Sequence, residues 1–477
     1  MRSDSAAAAG GAAPRTTTAA SPSYTLGALP GALPLLGHAP RFALRPLDFL
    51  ASLSGHGDLV RVKLGPLTAY VVCHPALVHQ LLLADRTFDK GGPFYDKLRD
   101  IAGNGVGTCP AAVHREQRRL VQPAFHQARM PAYTKVMAQE VAALTSRWRH
   151  GQVLDVPDAM HQLATAVIVR CLFDPSTDTS GVPALQSSID ALVEGITRRM
   201  TWPVPLLHRL PTPGKHRYER ARLHVRHLTD SLIGSLCSTA ADHDNLLSLL
   251  MAPGTDGVSL SDTEVHDQVV TFLLAGVGST AITLSWVWHL VGAHPEIQTR
   301  LHAEVDTVLA GRPAQATDLD SLELTGRIVT ETLRLYPPDS LLLTRTTSTD
   351  TELGGHPLPA GTTIAFSPYQ LHRRPDIYSD PDHFVPDRWE DVGKPAPGTW
   401  VPFGAGPRKC IADAFVRTQA TLALATVAAR WQLRPTPGQT IRPVGQAVRA
   451  PHPLSMQLQQ RESTLPERNP TSETDKR

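Results

Sequence analysis

Phe403-Gly404-Ala405-Gly406-Pro407-Arg408-Lys409-Cys410-Ile411-Ala412 places one thiol at the end of a glycine-rich loop, where a helical pattern begins. A cysteine there is expected as a thiolate. The helix N-terminus offers free N–H groups and partial positive charge, and Arg408 and Lys409 add more. Gly404 and Gly406 carry no side chain to hinder the backbone from folding close around the sulfur. Such a thiolate is either a nucleophile or a ligand to iron. A lone cysteine is more often a small buried hydrophobe, and the run around this one argues against that.

Outward from the loop, the pattern is mostly helical. Apolar spacing predicts helices over about 114–149, 158–173, 184–200, 215–237, 261–293, 295–310, 327–336 and 411–431. Leu59–Leu64 and Ala69–Val72, split by Gly65-Pro66, read as a hairpin, and a second strand pair is expected within Thr351–Ser367. The fold class is mainly α with a small β portion, in a single domain. Ser261-Asp262-Thr263-Glu264 forms a capping box opening a long helix that ends before Pro295. Its stretch Val269–Val291 has no charged residue and is long enough to span a bilayer. Its glycines, hydroxyl residues and histidine instead suit a helix crossing a large core. Gly276-x-Gly278-x-x-Ala281 imitates a dinucleotide fingerprint, with Glu296 downstream as the acid. A Rossmann unit needs a turn at those glycines and a second strand ending at the acid. Glu296 follows His294-Pro295 and opens another helix.

The Cys410 run resembles the haem-binding loop of the cytochrome P450 superfamily, Phe-x-x-Gly-x-Arg-x-Cys-x-Gly, departing only at Ala412. The resemblance implies haem b as cofactor, Cys410 as iron ligand beside Phe403 and Gly404, and Arg408 on a haem propionate. His114, Arg118 and Arg345 match other propionate-binding positions. Ala275-Gly276-Val277-Gly278-Ser279-Thr280 resembles the oxygen-activating helix, Ala/Gly-Gly-x-Asp/Glu-Thr-Thr/Ser. Gly276, Ser279 and Thr280 are then the catalytic positions, with Ser279 donating toward iron-bound oxygen or else capping backbone polarity within the helix. Gly278 stands where the family has an acid, so another group must relay protons. Glu331-Thr332-Leu333-Arg334 and Phe384-Val385-Pro386-Asp387-Arg388-Trp389 resemble the family's supporting motifs, implying a buried network of Glu331, Arg334 and Arg388.

These likenesses run from about residue 26 to 460 and imply a mainly helical P450 fold with a single haem domain, 25–460. Residues 1–24 read as a disordered leader and 461–477 as a polar tail. The chain leaves no room for an attached reductase, so dioxygen and a separate ferredoxin and ferredoxin reductase are implied partners. Arg115, Arg119 and Lys409 are candidates for docking an acidic ferredoxin. The net charge of +2 makes no case for nucleic acid or a polybasic membrane surface. Five scattered cysteines, with no Cys-x-x-Cys, fit a reducing cytoplasm and exclude the usual covalent haem attachment. A monomer is expected.

The pocket segments are expected at Phe88–Ile101, Ile196–Leu210, the central helix around Phe272, and Ser340–Thr344. They are mainly apolar (Met200, Trp202, Val204, Leu206, Leu207, Leu341, Leu342, Leu343) and suit a small apolar substrate. Gly31–His38, Arg118–Phe125 and Arg198-Arg199-Met200 resemble soluble bacterial members that oxidise sesquiterpenes. That likeness implies hydroxylation of a cyclic sesquiterpene such as pentalenene in antibiotic biosynthesis, by one or several oxidations. A peroxide-using or non-redox haem-thiolate enzyme and a non-catalytic haem-binding protein are the alternatives.

Overall fold

The computed structural model describes residues 24–173, 181–201, 212–238, 245–254, 257–391, 393–444 and 450–462. Nearly all of the leader and tail expected from the sequence lie outside these residues, as do Trp202, Val204, Leu206 and Leu207 of the expected pocket and the side chain of Met200. Arg461, the first residue of the expected tail, is docked instead. Its guanidinium lies 2.6 Å from the Asp306 carboxylate and donates to the Ala428 carbonyl.

The central helix runs Asp262–Ala293. Its capping box forms as read: the Glu264 N–H donates to Ser261 Oγ, and the Ser261 N–H donates to Glu264 Oε2. Val269, Leu273, Val277, Leu284 and Val287 are fully buried, each worth about 1.5–3 kcal/mol of apolar burial. The helix packs along Val156–Leu172. Its uncharged stretch is therefore core, and it passes through Gly276 and Gly278 without a turn, which removes the dinucleotide reading. It is the one described helix long and apolar enough to cross a membrane, and most of its apolar stretch is buried in the protein.

The six-stranded sheet has the order Leu26–Ala28, Leu59–Leu64, Leu67–Val72, Thr363–Phe366, Leu343–Thr347, Phe88–Asp89. The expected hairpin pairs antiparallel, Leu64 opposite Leu67, with Gly65 at φ +63°. The second expected pair forms between Thr351–Leu353 and His356–Leu358, while Thr363–Phe366 leaves it to join the large sheet. A three-stranded sheet of Trp431–Pro435, Ser455–Gln460 and Val153–Asp155 was not anticipated.

The single helix expected over 114–149 is instead Ala111–Val121 and Met130–Thr145, joined by two 3₁₀ turns. Pro123 and Pro131 each lack the N–H that a continuous helix needs. Other expected helices form within a few residues, as Val156–Leu172, Val182–Thr201, Pro213–Ser238, Pro295–Leu309, Glu323–Leu335 and Asp413–Arg430.

Candidate functional site

The Cys410 loop leaves the core at Val401 and returns at the helix Asp413–Arg430. The Cys410 N–H donates to the Phe403 carbonyl at 2.8 Å, closing the loop on itself. Gly404 and Gly406 adopt φ +67° and +66°, a left-handed conformation that costs other residues about 1–2 kcal/mol. Their roles differ from the expectation. A side chain at Gly404 would meet nothing within 4 Å, whereas a Cβ at Gly406 would lie 2.3 Å from the Leu82 carbonyl oxygen. Gly406 thus fits the loop against the helix Pro75–Leu83 rather than around the sulfur.

Protein shields Cys410 from bulk water, yet its side chain meets open space, so it faces an internal cavity. The Ala412 N–H lowers the thiol's pKa, but burial outweighs it and holds the thiol above its usual range. The thiolate expected from Arg408 and Lys409 does not arise from these residues alone, because both are engaged by acids. Lys409 pairs with Asp413, and Arg408 turns to Asp89 and Asp85. A metal ion bound at the sulfur would supply the missing charge.

Arg408 donates to the Cys109 carbonyl and to Asp89 Oδ1, both at 2.8 Å, and its buried Nε faces the Asp85 carboxylate at 3.4 Å without forming a hydrogen bond. Around it gather the other expected bases. His114 is buried, and burial together with Arg408, Lys90 and Arg118 pushes its pKa down to about 3. Arg118 donates to the Lys409 carbonyl at 2.7 Å. Arg345, on the strand Leu343–Thr347, donates to the Thr344 carbonyl and lies over the Phe366 ring.

Two members escaped sequence reasoning. Lys90 sits among Arg345 and Arg408, with Nζ 2.8 Å from the Gly107 carbonyl, and burial lowers its pKa. Asp89 accepts from the Lys90 N–H, Arg408 and the Ala111 N–H, tying the edge strand to the His114 helix. Phe88–Ile101 read as pocket wall, but nothing in its local pattern marks this pair. Five converging bases suit a ligand bearing carboxylates. The residues fit a haem.

Behind the loop, hydrogen bonds join Glu331, Arg334 and Arg388 with Trp389 and the Val385 N–H. Glu331 Oε1 accepts from Arg334 Nη2 at 2.8 Å, Arg388 Nε at 2.9 Å and the Val385 N–H at 3.0 Å. Oε2 accepts from Arg334 Nε and the Trp389 indole, both at 2.8 Å. Arg334 also donates to the carbonyls of His372, Pro381 and His383. His372 is fully buried and joins the two halves. Its Nδ1–H donates to the Arg334 carbonyl, and its Nε2 accepts from the Val401 N–H at the base of the Cys410 loop.

On the central helix, Gly276 faces Ile168 and Thr280 is buried. A side chain at Gly278 would meet nothing within 4 Å. Ser279 Oγ donates to the Ala275 carbonyl at 2.6 Å, the inward-capping arrangement rather than the outward one. Ala275 is exposed in a helix whose Phe272, Leu273 and Val277 are buried, consistent with a cavity along this face.

A cavity-facing thiol, a cluster of bases fit for carboxylates and a mainly helical frame define a haem-thiolate protein. Residues 28–458 match the cytochrome P450 family, and the chain belongs to it. It is 46% identical over 423 residues to cyclooctat-9-en-7-ol 5-monooxygenase of Streptomyces melanosporofaciens, covering 88% of this chain and 92% of that protein. It is 44% identical over 439 residues to pentalenene oxygenase of Streptomyces avermitilis (91% and 97%). Cyclooctatin synthase of Streptomyces melanosporofaciens is 45% identical over 432 residues (90% and 94%). The chain is thus a haem-binding monooxygenase with a cysteine thiolate ligand, close to bacterial terpene-oxidising enzymes.

Proposed function

We propose that this monooxygenase hydroxylates a cyclic terpene, specifically a sesquiterpene such as pentalenene, and can oxidise it in successive steps during antibiotic biosynthesis. The observation that carries the reading is the near full-length similarity to three Streptomyces enzymes named for pentalenene or cyclooctatin chemistry. The half-buried run Leu341-Leu342-Leu343 supplies apolar wall of the kind such a substrate needs.

Cys410 would ligate the haem iron, and Arg408, His114, Arg118, Arg345 and Lys90 would hold the haem carboxylates. The haem, when bound, activates dioxygen for insertion of one oxygen atom into the substrate. Electrons come from a separate ferredoxin and its reductase. Exposed Arg86, Arg115 and Arg119 share one surface groove with Glu116 and Asp89, a face basic on balance and suited to an acidic partner. We take the protein as a monomer of the cytoplasm; the core position of the central helix and the free cysteines 73, 109, 171 and 410 support the cytoplasmic part of that reading.

Titrating the haem-loaded enzyme with a panel of cyclic sesquiterpenes tests the substrate class. A type I spectral shift is expected, and its absence across the panel overturns the reading. The reduced, CO-bound protein should show a strongly red-shifted Soret band that disappears in Cys410→Ala.

A second reading, use of peroxide in place of dioxygen and electrons, rests on Gly278 and on the engagement of Ser279 Oγ by Ala275. Product formed with peroxide and without ferredoxin or NAD(P)H would favour it.

A further inference from the structure

Asp339 stands at the apex of a three-residue turn, in which the Ser340 N–H donates to the Pro338 carbonyl at 3.0 Å. The turn is held at both ends. On one side Tyr336 stacks on Trp286 of the central helix, ring centroids 3.6 Å apart and planes within 3°. Pro337 and Pro338, both buried, follow with fixed φ. On the other side, Ser367 Oγ donates to the Ser340 carbonyl at 2.7 Å. The backbone therefore sets where the Asp339 side chain points.

That side chain meets open space although Pro338 and Ser340 beside it are buried, and the surrounding protein shields it from bulk water. It therefore faces an internal cavity. Its carboxyl lies near enough to the Cys410 thiol to act on it through space, and both side chains meet enclosed open space. Among the described residues no hydrogen bond or ion pair engages its carboxyl. Lys90 acts on it through space, but the ammonium is held by the Gly107 carbonyl at 2.8 Å and lies 5.5 Å from the centre of the Tyr95 ring. Burial outweighs Lys90 and holds the carboxyl above the usual carboxylate range, so it can donate a hydrogen bond as well as accept one. Of the residues that follow, Ser340 carries a buried hydroxyl that is likewise without a hydrogen-bond partner, and Leu341, Leu342 and Leu343 offer no polar side chain. An unpartnered carboxyl beside an apolar wall costs free energy until a ligand satisfies it.

We propose that Asp339 is the polar anchor of the substrate chamber and hydrogen-bonds an oxygen already carried by the substrate, so that a terpene alcohol binds in preference to the parent hydrocarbon. The proposal rests on the terpene reading above and refines it. An enzyme with this anchor retains its first hydroxylated product and presents it for a second oxidation.

The test uses the haem-loaded full-length protein and a matched pair of tricyclic ligands, cedrene and cedrol, with dissociation constants read from the spectral shift. One hydrogen bond to a buried group is worth about 1–1.5 kcal/mol, so cedrol is expected to bind about tenfold more tightly. Asp339→Leu should abolish or reverse that preference. Asp339→Asn, which keeps a donor and an acceptor, should retain most of it. Equal affinities in the wild type, or an unchanged preference in Asp339→Leu, overturn the anchor and leave the terpene reading standing. Failure of the wild type to bind any cyclic sesquiterpene or its alcohol overturns both.

Discussion

Replacing Glu331 by Gln removes one charge and almost no volume from the network behind the Cys410 loop. The carboxylate accepts five hydrogen bonds, three at Oε1 and two at Oε2. A glutamine oriented to keep the three leaves its NH₂ facing Arg334 Nε and the Trp389 indole, both donors. Two orphaned donors cost roughly 1–3 kcal/mol each. Arg334 is fully buried and Arg388 nearly so, and stripping a buried cation of its partner costs about 3–5 kcal/mol. These figures describe overlapping losses, so the expected total is about 4 kcal/mol. With an unfolding entropy of about 2.1 cal/mol/K per residue over roughly 430 residues, the midpoint should fall by about 4–5 °C. Trp389→Phe deletes one donor and should cost only about 1 kcal/mol, near 1 °C. Thermal melts of the haem-loaded proteins measure both. A Glu331→Gln midpoint within a degree of wild type, or equal to that of Trp389→Phe, would refute the argument from charge.

Gly406→Ala puts a methyl group against the Leu82 carbonyl at a left-handed φ and should sharply reduce haem content after purification. Gly404→Ala, with the same φ but open space, should cost only about 1–2 kcal/mol in a melt. Gly278→Ala should raise stability by about 0.5–1 kcal/mol, since its Cβ meets nothing and helix propensity improves. Gly278→Asp supplies the acid that the chain lacks and should raise the product formed per NAD(P)H consumed; an unchanged ratio would show that protons already arrive by another route. His372 is held neutral with its pKa pushed down to about 3, first by burial. The unfolded chain binds its proton near pH 6.5 and the folded one does not. The stabilisation is therefore complete above pH 6.5 and is lost as pH falls toward 3, at about 1.4 kcal/mol per unit, or about 2 kcal/mol by pH 5. His302, lowered to about 4 by burial and by Arg461, acts in the same direction. Urea midpoints measured from pH 8 to pH 5 should fall accordingly, and a flat profile would contradict this.

What was legible in the sequence lies in short runs. The Cys410 loop, Glu331 with Arg334, and the capping box at Ser261 each complete their geometry within a few residues, so spacing alone reveals them. Arg388 was found because its own segment is distinctive, but Trp389, next to it, was not recognised as a fifth donor. Asp89 and Lys90 were missed because their meaning depends on Arg408 and Arg345, far along the chain. Ser279 reads in the sequence either as a donor toward the haem side or as a cap on helix polarity; the helix offers its hydroxyl a carbonyl one turn back, and it takes it. The thiolate expected of Cys410 assumed that two neighbouring cations were free. Local sequence shows which charges are present, whereas Asp85, Asp89 and Asp413 decide which of them are spent.

The stack of Tyr336 on Trp286 bears on how the enzyme can change over evolutionary time. It ties the segment carrying Asp339 to the central helix, so parting the two to admit a bulkier skeleton costs the stack, about 0.5–1.5 kcal/mol beyond area burial. Exchange of individual side chains at positions such as Leu341 and Leu342 accommodates new substrates without that cost. A lineage built this way diversifies in small steps, each altering the shape of the chamber while its polar fixed point persists.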